Sequence, residues 1–267
     1  MARRRWMLLP VTVALVVAVG AITAYAQRRW FRSQPIDVPI DPAPHYDGRF
    51  TFARLKFTTG PGGYYYGGLP AWAHGYLPIR EGSRSETNLT KILNGITNID
   101  PHLDGTKVVD VGSLDLFRYP LVYAAEPGYM VLNDKEALNL RAYLQKGGFI
   151  IFDDFRGPYD WENFQATMAR VLPGEHLIRL DVKHPIFHAF FDIPTLDFIQ
   201  AYDRGGPAEF YGMFPNNDQS RPLQFIANFN NDVSQYWEWS DTGFVPIDLS
   251  NEAYKLGVNY VVYAMTH

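Results

Sequence analysis

Two short acidic segments have the residue types and spacing for chemistry. Glu126-Pro127-Gly128 follows the apolar run Pro120-Leu121-Val122-Tyr123-Ala124-Ala125, and Asp153-Asp154 follows Phe149-Ile150-Ile151-Phe152. In an open parallel sheet, ligands bind outside the carboxyl ends of the strands, which is where both segments fall. If the two strands are neighbours, Glu126 converges with Asp153 or Asp154. Such a carboxylate pair holds a hard cation or shares a proton as acid and base. Asn230-Asn231-Asp232 supplies further oxygen atoms that would join Asp153 around Mg²⁺ or Ca²⁺. Each has a plainer reading: acids at strand ends satisfy backbone amides or pair with a neighbour such as Arg156, and Asn and Asp dominate turns.

His184-Pro185-Ile186-Phe187-His188 offers two histidines four apart. That spacing aligns two metal ligands only on a helix, and Pro185 opposes one. A turn that buries Ile186 or Phe187 fits the segment better, with His184 a candidate partner for the carboxylates. Nucleophilic catalysis has little support, because the chain has no cysteine and no Gly-x-Ser-x-Gly elbow. The glycine-rich stretch from Gly60 to Gly68 lacks the Gly-Lys-Ser/Thr ending of a phosphate loop. Its Tyr64, Tyr65 and Tyr66, with Trp72, are candidates for stacking on an envelope glycan, or else pack the loop onto the sheet.

These residues need a scaffold, and the periodicities supply one. Phe50, Phe52, Leu55 and Phe57 alternate as in a strand. Ser83-x-x-Glu86 reads as a capping box before a helix with Leu89, Ile92, Leu93 and Ile96 on one face. Residues 107–111 and 120–125 read as strands. Asn133-x-x-Glu136 is a second capping box, and Gly147-Gly148 closes its helix. The unbroken run at 149–152 suits a strand covered on both faces. Asp160 reads as the cap of a third helix, 176–182 as a strand, 223–229 as an antiparallel strand, and a last helix begins near Ser250. The alternation of strand and helix predicts an α/β domain with a parallel sheet. No internal repeat is present.

Residues 6–26 form an almost unbroken apolar stretch without a charged side chain, preceded by Arg3, Arg4 and Arg5 and followed by Arg28, Arg29 and Arg32. About 20 such residues at the helical rise match the hydrocarbon core of a bilayer. The length favours a single-pass anchor with the domain outside the cytoplasm; Ala24-Tyr25-Ala26 offers signal cleavage and secretion as the alternative. Residues 31–47, rich in proline, read as a semi-rigid spacer. With six of the basic residues lying before residue 33, the remainder carries 18 basic against 28 acidic side chains, a net −10 that opposes nucleic-acid binding.

Several motifs together resemble a known family. They are Phe52-Ala53-Arg54, Tyr119-Pro120, Glu126-Pro127-Gly128, Tyr143-Leu144-x-x-Gly147-Gly148-Phe149, Asp153-Asp154-Phe155, His184-Pro185-Ile186-Phe187, Asn230-Asn231-Asp232 and the ending from Gly257 to His267. The chain from about residue 48 onward is similar to a bacterial family of unknown function whose members are often membrane-attached. That resemblance implies a ThuA-like, class I glutamine-amidotransferase-like fold, hence a flavodoxin-like sheet. The amidotransferases of that superfamily use a cysteine absent from this chain, so their activity does not transfer. The expected organisation is an anchor or signal at 1–30, a linker at 31–47 and one α/β domain at 48–267. The expected role is that of a membrane-tethered, non-catalytic ligand-binding or scaffold module. A carboxylate- or divalent-metal-dependent hydrolase is the alternative, and docking to a membrane-protein partner through the loops of residues 200–248 is a third reading.

Overall fold

The computed structural model describes residues 35–76, 84–197 and 206–267. The expected anchor and the Ser83 cap lie outside the described residues. Among those described, no helix is long and apolar enough to cross a membrane.

A seven-stranded sheet is built from β1 (Ala53–Lys56), β2 (Lys107–Asp110), β3 (Leu121–Ala125), β4 (Phe149–Phe155), β5 (Ile178–Arg179), β6 (Glu209–Gly212) and β7 (Phe225–Phe229). Its spatial order is β2-β1-β3-β4-β7-β6-β5. The pairs from β2 through β7 are parallel, and β6 runs antiparallel to both of its neighbours. The fold is therefore mixed α/β with a mostly parallel central sheet. The helices are α1 (Arg84–Ile96), α2 (Asp134–Gln145), α3 (Gly157–Val171), α4 (Val233–Glu238) and α5 (Ile247–Thr266).

The central strands bury both faces, with the period of two that the pleat dictates. Val122, Ala124, Ile150 and Phe152 enter one core with Leu140 of α2 and Phe164 of α3. Leu121, Tyr123, Phe149 and Ile151 enter the other with Leu89 of α1, Trp237 of α4 and Tyr260 of α5. The second capping box is present: Asn133 accepts from the Glu136 amide at 3.0 Å, and Glu136 accepts from the Asn133 amide at 2.8 Å.

Several boundaries differ from expectation. The 223–229 strand is parallel to β4 and antiparallel only to β6, which adds on its far side, between it and the edge strand β5. β4 runs three residues past the apolar stretch, since Asp153 and Phe155 still pair with neighbouring strands. Asp160 does not cap α3, which starts at Gly157; it sits in the first turn and accepts from the Arg156 amide at 3.0 Å. α5 begins at Ile247 rather than near Ser250. Only Ile178–Arg179 of the expected 176–182 strand is paired. The described part of the proline-rich segment lies against the domain. Val38 is buried in the core, the Ile36 amide donates to Gly68 O at 3.1 Å, and the Asp41 amide donates to Tyr76 Oη at 3.0 Å.

Candidate functional site

Glu126 directly follows β3 and Asp154 is the last residue but one of β4, and both acids are held in left-handed backbone. Glu126 has φ 51° and Asp154 φ 62°, a conformation that costs a non-glycine residue about 1–3 kcal/mol and persists only where its surroundings impose it. For Glu126 the surroundings are clear. Its amide donates to Asp153 O at 3.0 Å and its carbonyl accepts from the Tyr129 amide at 3.1 Å. Gly128 lies so close to α3 that a Cβ there would sit 2.3 Å from Asp160 Cβ. The Asp154 amide donates to Asn231 O at 3.1 Å, which ties the end of β4 to the turn after β7.

The two acids meet at His74. Its Nδ1 lies 2.6 Å from Asp154 Oδ2 and 3.0 Å from Glu126 Oε1. Burial opposes charge on the ring, but the hydrogen bonds and negative charges of Asp154 and Glu126 overcome it and push the pKa up to about 11. At neutral pH the group is an imidazolium, with Nδ1–H donating to the carboxylates. Tyr65 stacks on the imidazole at 4.7 Å with rings 7° apart, and its hydroxyl hydrogen-bonds Glu126. Arg54, wholly buried on β1, holds the histidine's backbone: its Nη1 donates to His74 O at 2.6 Å and Trp72 O at 3.2 Å. Its Nε donates to Glu86 Oε1 of α1 at 2.5 Å.

Around this cluster lies a cleft of about 760 Å³. Tyr65, Tyr129 and Trp239 give it aromatic walls; Glu126, Asp154, Asp160, Asp232 and Glu238 give it five acids against His74 and Arg156. Asp232 caps α4, accepting from the Gln235 amide and Ser234 Oγ, both at 2.9 Å. Burial, then the charge of Asp154, pushes its pKa up to about 8, so it is mostly protonated at neutral pH.

The remaining candidates have other roles. Consecutive strand residues face opposite sides, so Asp153 turns away from the cleft. It accepts from Asn228 Nδ2 at 2.9 Å and from the amides of Val233 at 3.2 Å and Ser234 at 2.9 Å. It thus ties β7 to the start of α4, the plain backbone role open to an acid at a strand end. Asn231 is buried, and its Oδ1 accepts from the Asp232 amide at 3.0 Å, so it shapes the turn. Tyr64 donates its hydroxyl to Thr59 O at 3.3 Å and does not line the cleft. Trp72 is buried against Tyr76 and Lys56 and leaves no face for a ligand, which corrects its expected stacking role.

His184 is also elsewhere. It caps a short turn through the Ile186 amide at 3.2 Å and packs against Phe214 and Tyr263. Burial, with the nearby His267, lowers its pKa to about 4. His188 faces Asp192 and Val182 O instead, so the two histidines have no common target. The histidine that completes the carboxylate pair is His74. No local pattern marked it, because the 60–76 loop reaches the site only through tertiary folding. Trp239 was hidden likewise in the irregular 200–248 region.

His74, Glu126 and Asp154 each offer one ligand atom, all within 4.8 Å of one another, so the donor set fits a divalent cation once Nδ1 gives up its proton. The model of a family described as a domain of unknown function, DUF4159, matches residues 75–265. The chain belongs to the DUF4159 family. The matched stretch of the DUF4159 domain includes Glu126, Asp154, Asp232 and Trp239 and begins one residue after His74. No curated protein matches this DUF4159 chain.

Proposed function

We propose that this DUF4159 protein is a membrane-tethered, ligand-binding module of the cell envelope, with its domain outside the cytoplasm. The ligand is small, rich in hydroxyl groups and neutral or cationic, as an amino sugar is. One observation carries this reading: His74, Glu126 and Asp154 converge at the carboxyl ends of two adjacent parallel strands. With Asp232 protonated, the other four acids still outnumber the two bases, which repels phosphate and attracts ammonium or hydroxyl donors. Aromatic walls offer stacking surfaces for the C–H faces of a saccharide. The order β2-β1-β3-β4-β7 supports a flavodoxin-like reading, in which ligands bind at the reversal between β1 and β3, and the segments after those two strands carry His74 and Glu126. The apolar run at 6–26 supports the tether.

Calorimetric titration of the full-length protein in detergent tests the reading with glucosamine, glucose and glucose 6-phosphate. Glucosamine binds most tightly and the phosphate does not bind; Glu126→Gln weakens glucosamine at least tenfold. Equal affinity for all three, or preference for the phosphate, would contradict it. A carboxylate-dependent hydrolase is the second reading, favoured by the proton on Asp232 beside Asp154, an arrangement that separates acid from base. Release of nitrophenol from a nitrophenyl glycoside, lost in Asp232→Asn, would put that reading first.

A further inference from the structure

The point where the tether joins the domain bears on which way the cleft looks. Ile36 lines the cleft, and its amide is bonded to Gly68 O. Val38, two residues on, is already in the core. The chain therefore enters the domain beside the cleft, at the carboxyl edge of the sheet. Nine residues lie between Ala26, where the apolar run ends, and Ile36, and the ten residue-to-residue steps span at most about 35 Å. We infer that the carboxyl edge of the sheet faces the bilayer and that the cleft takes its ligand, a sugar- or amine-bearing headgroup, from the membrane surface. This rests on the reading of residues 6–26 as a membrane anchor.

The surface carries an independent sign of the same orientation. The four most exposed large apolar side chains described are Leu114 at 80%, Ile247 at 76%, Phe244 at 71% and Tyr159 at 60%. Tyr159 follows the carboxyl end of β4, whereas Leu114 lies on the return from β2, next to Ser113, whose carbonyl accepts from Asn139 midway along α2. Phe244 packs on Trp239 of the cleft wall at 5.8 Å. Ile247 opens α5, which runs back toward the opposite edge: Tyr263 Oη, near its end, accepts from the Leu223 amide just before β7. Tyr159, Phe244 and Ile247, gathered at one edge, suit the headgroup layer. The arginines at 28, 29 and 32 add attraction to an anionic surface. The acidic cleft disfavours a phosphate and selects a neutral or cationic headgroup.

The chain has no cysteine, so Tyr159→Cys and Lys146→Cys each accept a single donor dye. Lys146 lies at the amino edge, three residues before β4. The seven residues of β4 set the two edges apart by about 23 Å. Energy transfer to an acceptor-labelled lipid is measured for each full-length variant in liposomes. Transfer is markedly stronger from position 159. Equal or stronger transfer from position 146 overturns the orientation while leaving the tether intact. Transfer from neither position means that the protein is not held at the bilayer, and the tether reading fails with the inference. In the same liposomes, glucosylceramide shifts the emission of the dye at 159 at concentrations where free glucose does not. A response to free glucose alone overturns the membrane source of the ligand.

Discussion

Replacing Glu86 with alanine lowers the unfolding free energy by about 3–5 kcal/mol, as breaking one side of a buried ion pair does. The measurement is guanidinium unfolding of the full-length protein in detergent, followed by tryptophan fluorescence. Arg54 and Glu86 are each about 1% exposed and meet at 2.5 Å. The guanidinium lies between the rings of Tyr123 at 5.0 Å and Tyr76 at 5.9 Å. Arginine does not shed its proton in a protein, so the variant removes the hydrogen-bonded carboxylate from a buried positive charge and leaves it the weaker attraction of Glu238. Its remaining bonds to the carbonyls of Trp72 and His74 do not neutralise it. The double variant Arg54→Met, Glu86→Leu recovers most of the loss, because two apolar groups of similar volume need no desolvation. It does not restore the cleft, since nothing then holds the His74 carbonyl. Recovered stability without recovered glucosamine binding separates the pair's two roles. A cost under about 1 kcal/mol for Glu86→Ala would mean that the pair is open to water.

Stability falls as the pH rises from about 5 to 9, opposite to the behaviour of a protein held by salt-bridged carboxylates. Burial, then the charge of Asp232, raises Asp153 from 3.8 to about 7. Asp232 is raised to about 8. A carboxyl raised on folding binds its proton more tightly in the native state. Its stabilisation is complete below the unfolded pKa and is lost as the pH rises through the folded one. His74, raised from 6.5 to about 11, has the same sign: its contribution is complete below about 6.5 and drains away toward 11. All three therefore act together, and His184, lowered to about 4, opposes them only up to about pH 6.5, where the two raised carboxyls outweigh it. The carboxylates held low, Asp47 and Asp218, are at the surface and act only in acid. Thermal unfolding between pH 5 and 9 gives a monotonic decline of about 2 kcal/mol or more. Asp232→Asn makes the decline between pH 5 and 8 shallower, because the amide has no charge to bury, and leaves the part above pH 7 that His74 contributes. A stability maximum near pH 8 would contradict these protonation states.

The scaffold was more legible in the sequence than the site. Phe149-Ile150-Ile151-Phe152 declared a strand buried on both faces, and two cores take its alternate side chains. Convergence of Glu126 with the Asp153-Asp154 step was readable because sequence places both at strand ends, and the parallel order makes those strands neighbours. Whether Asp153 or Asp154 faces the cleft was not readable. Adjacent residues differ only in the side of the sheet they take, and that depends on the irregular pairing between β4 and β7. His74 was invisible because its partners lie 52 and 80 residues further along the chain. The candidates Trp72 and His184 show the reverse error: an aromatic or a histidine in a loop resembles a ligand contact until burial and packing are known.

The account depends on a charged imidazole clamped by two carboxylates in the cleft that receives the ligand. Long-range proton–nitrogen spectra of the histidine side chains, recorded on the full-length protein at pH 7.5 and pH 9 with and without glucosamine, test this most directly. His74 is predicted to carry protons on both ring nitrogens at either pH, and its signals are predicted to move when glucosamine is added. A neutral His74 that titrates between pH 6 and 7 and ignores the sugar would contradict the account.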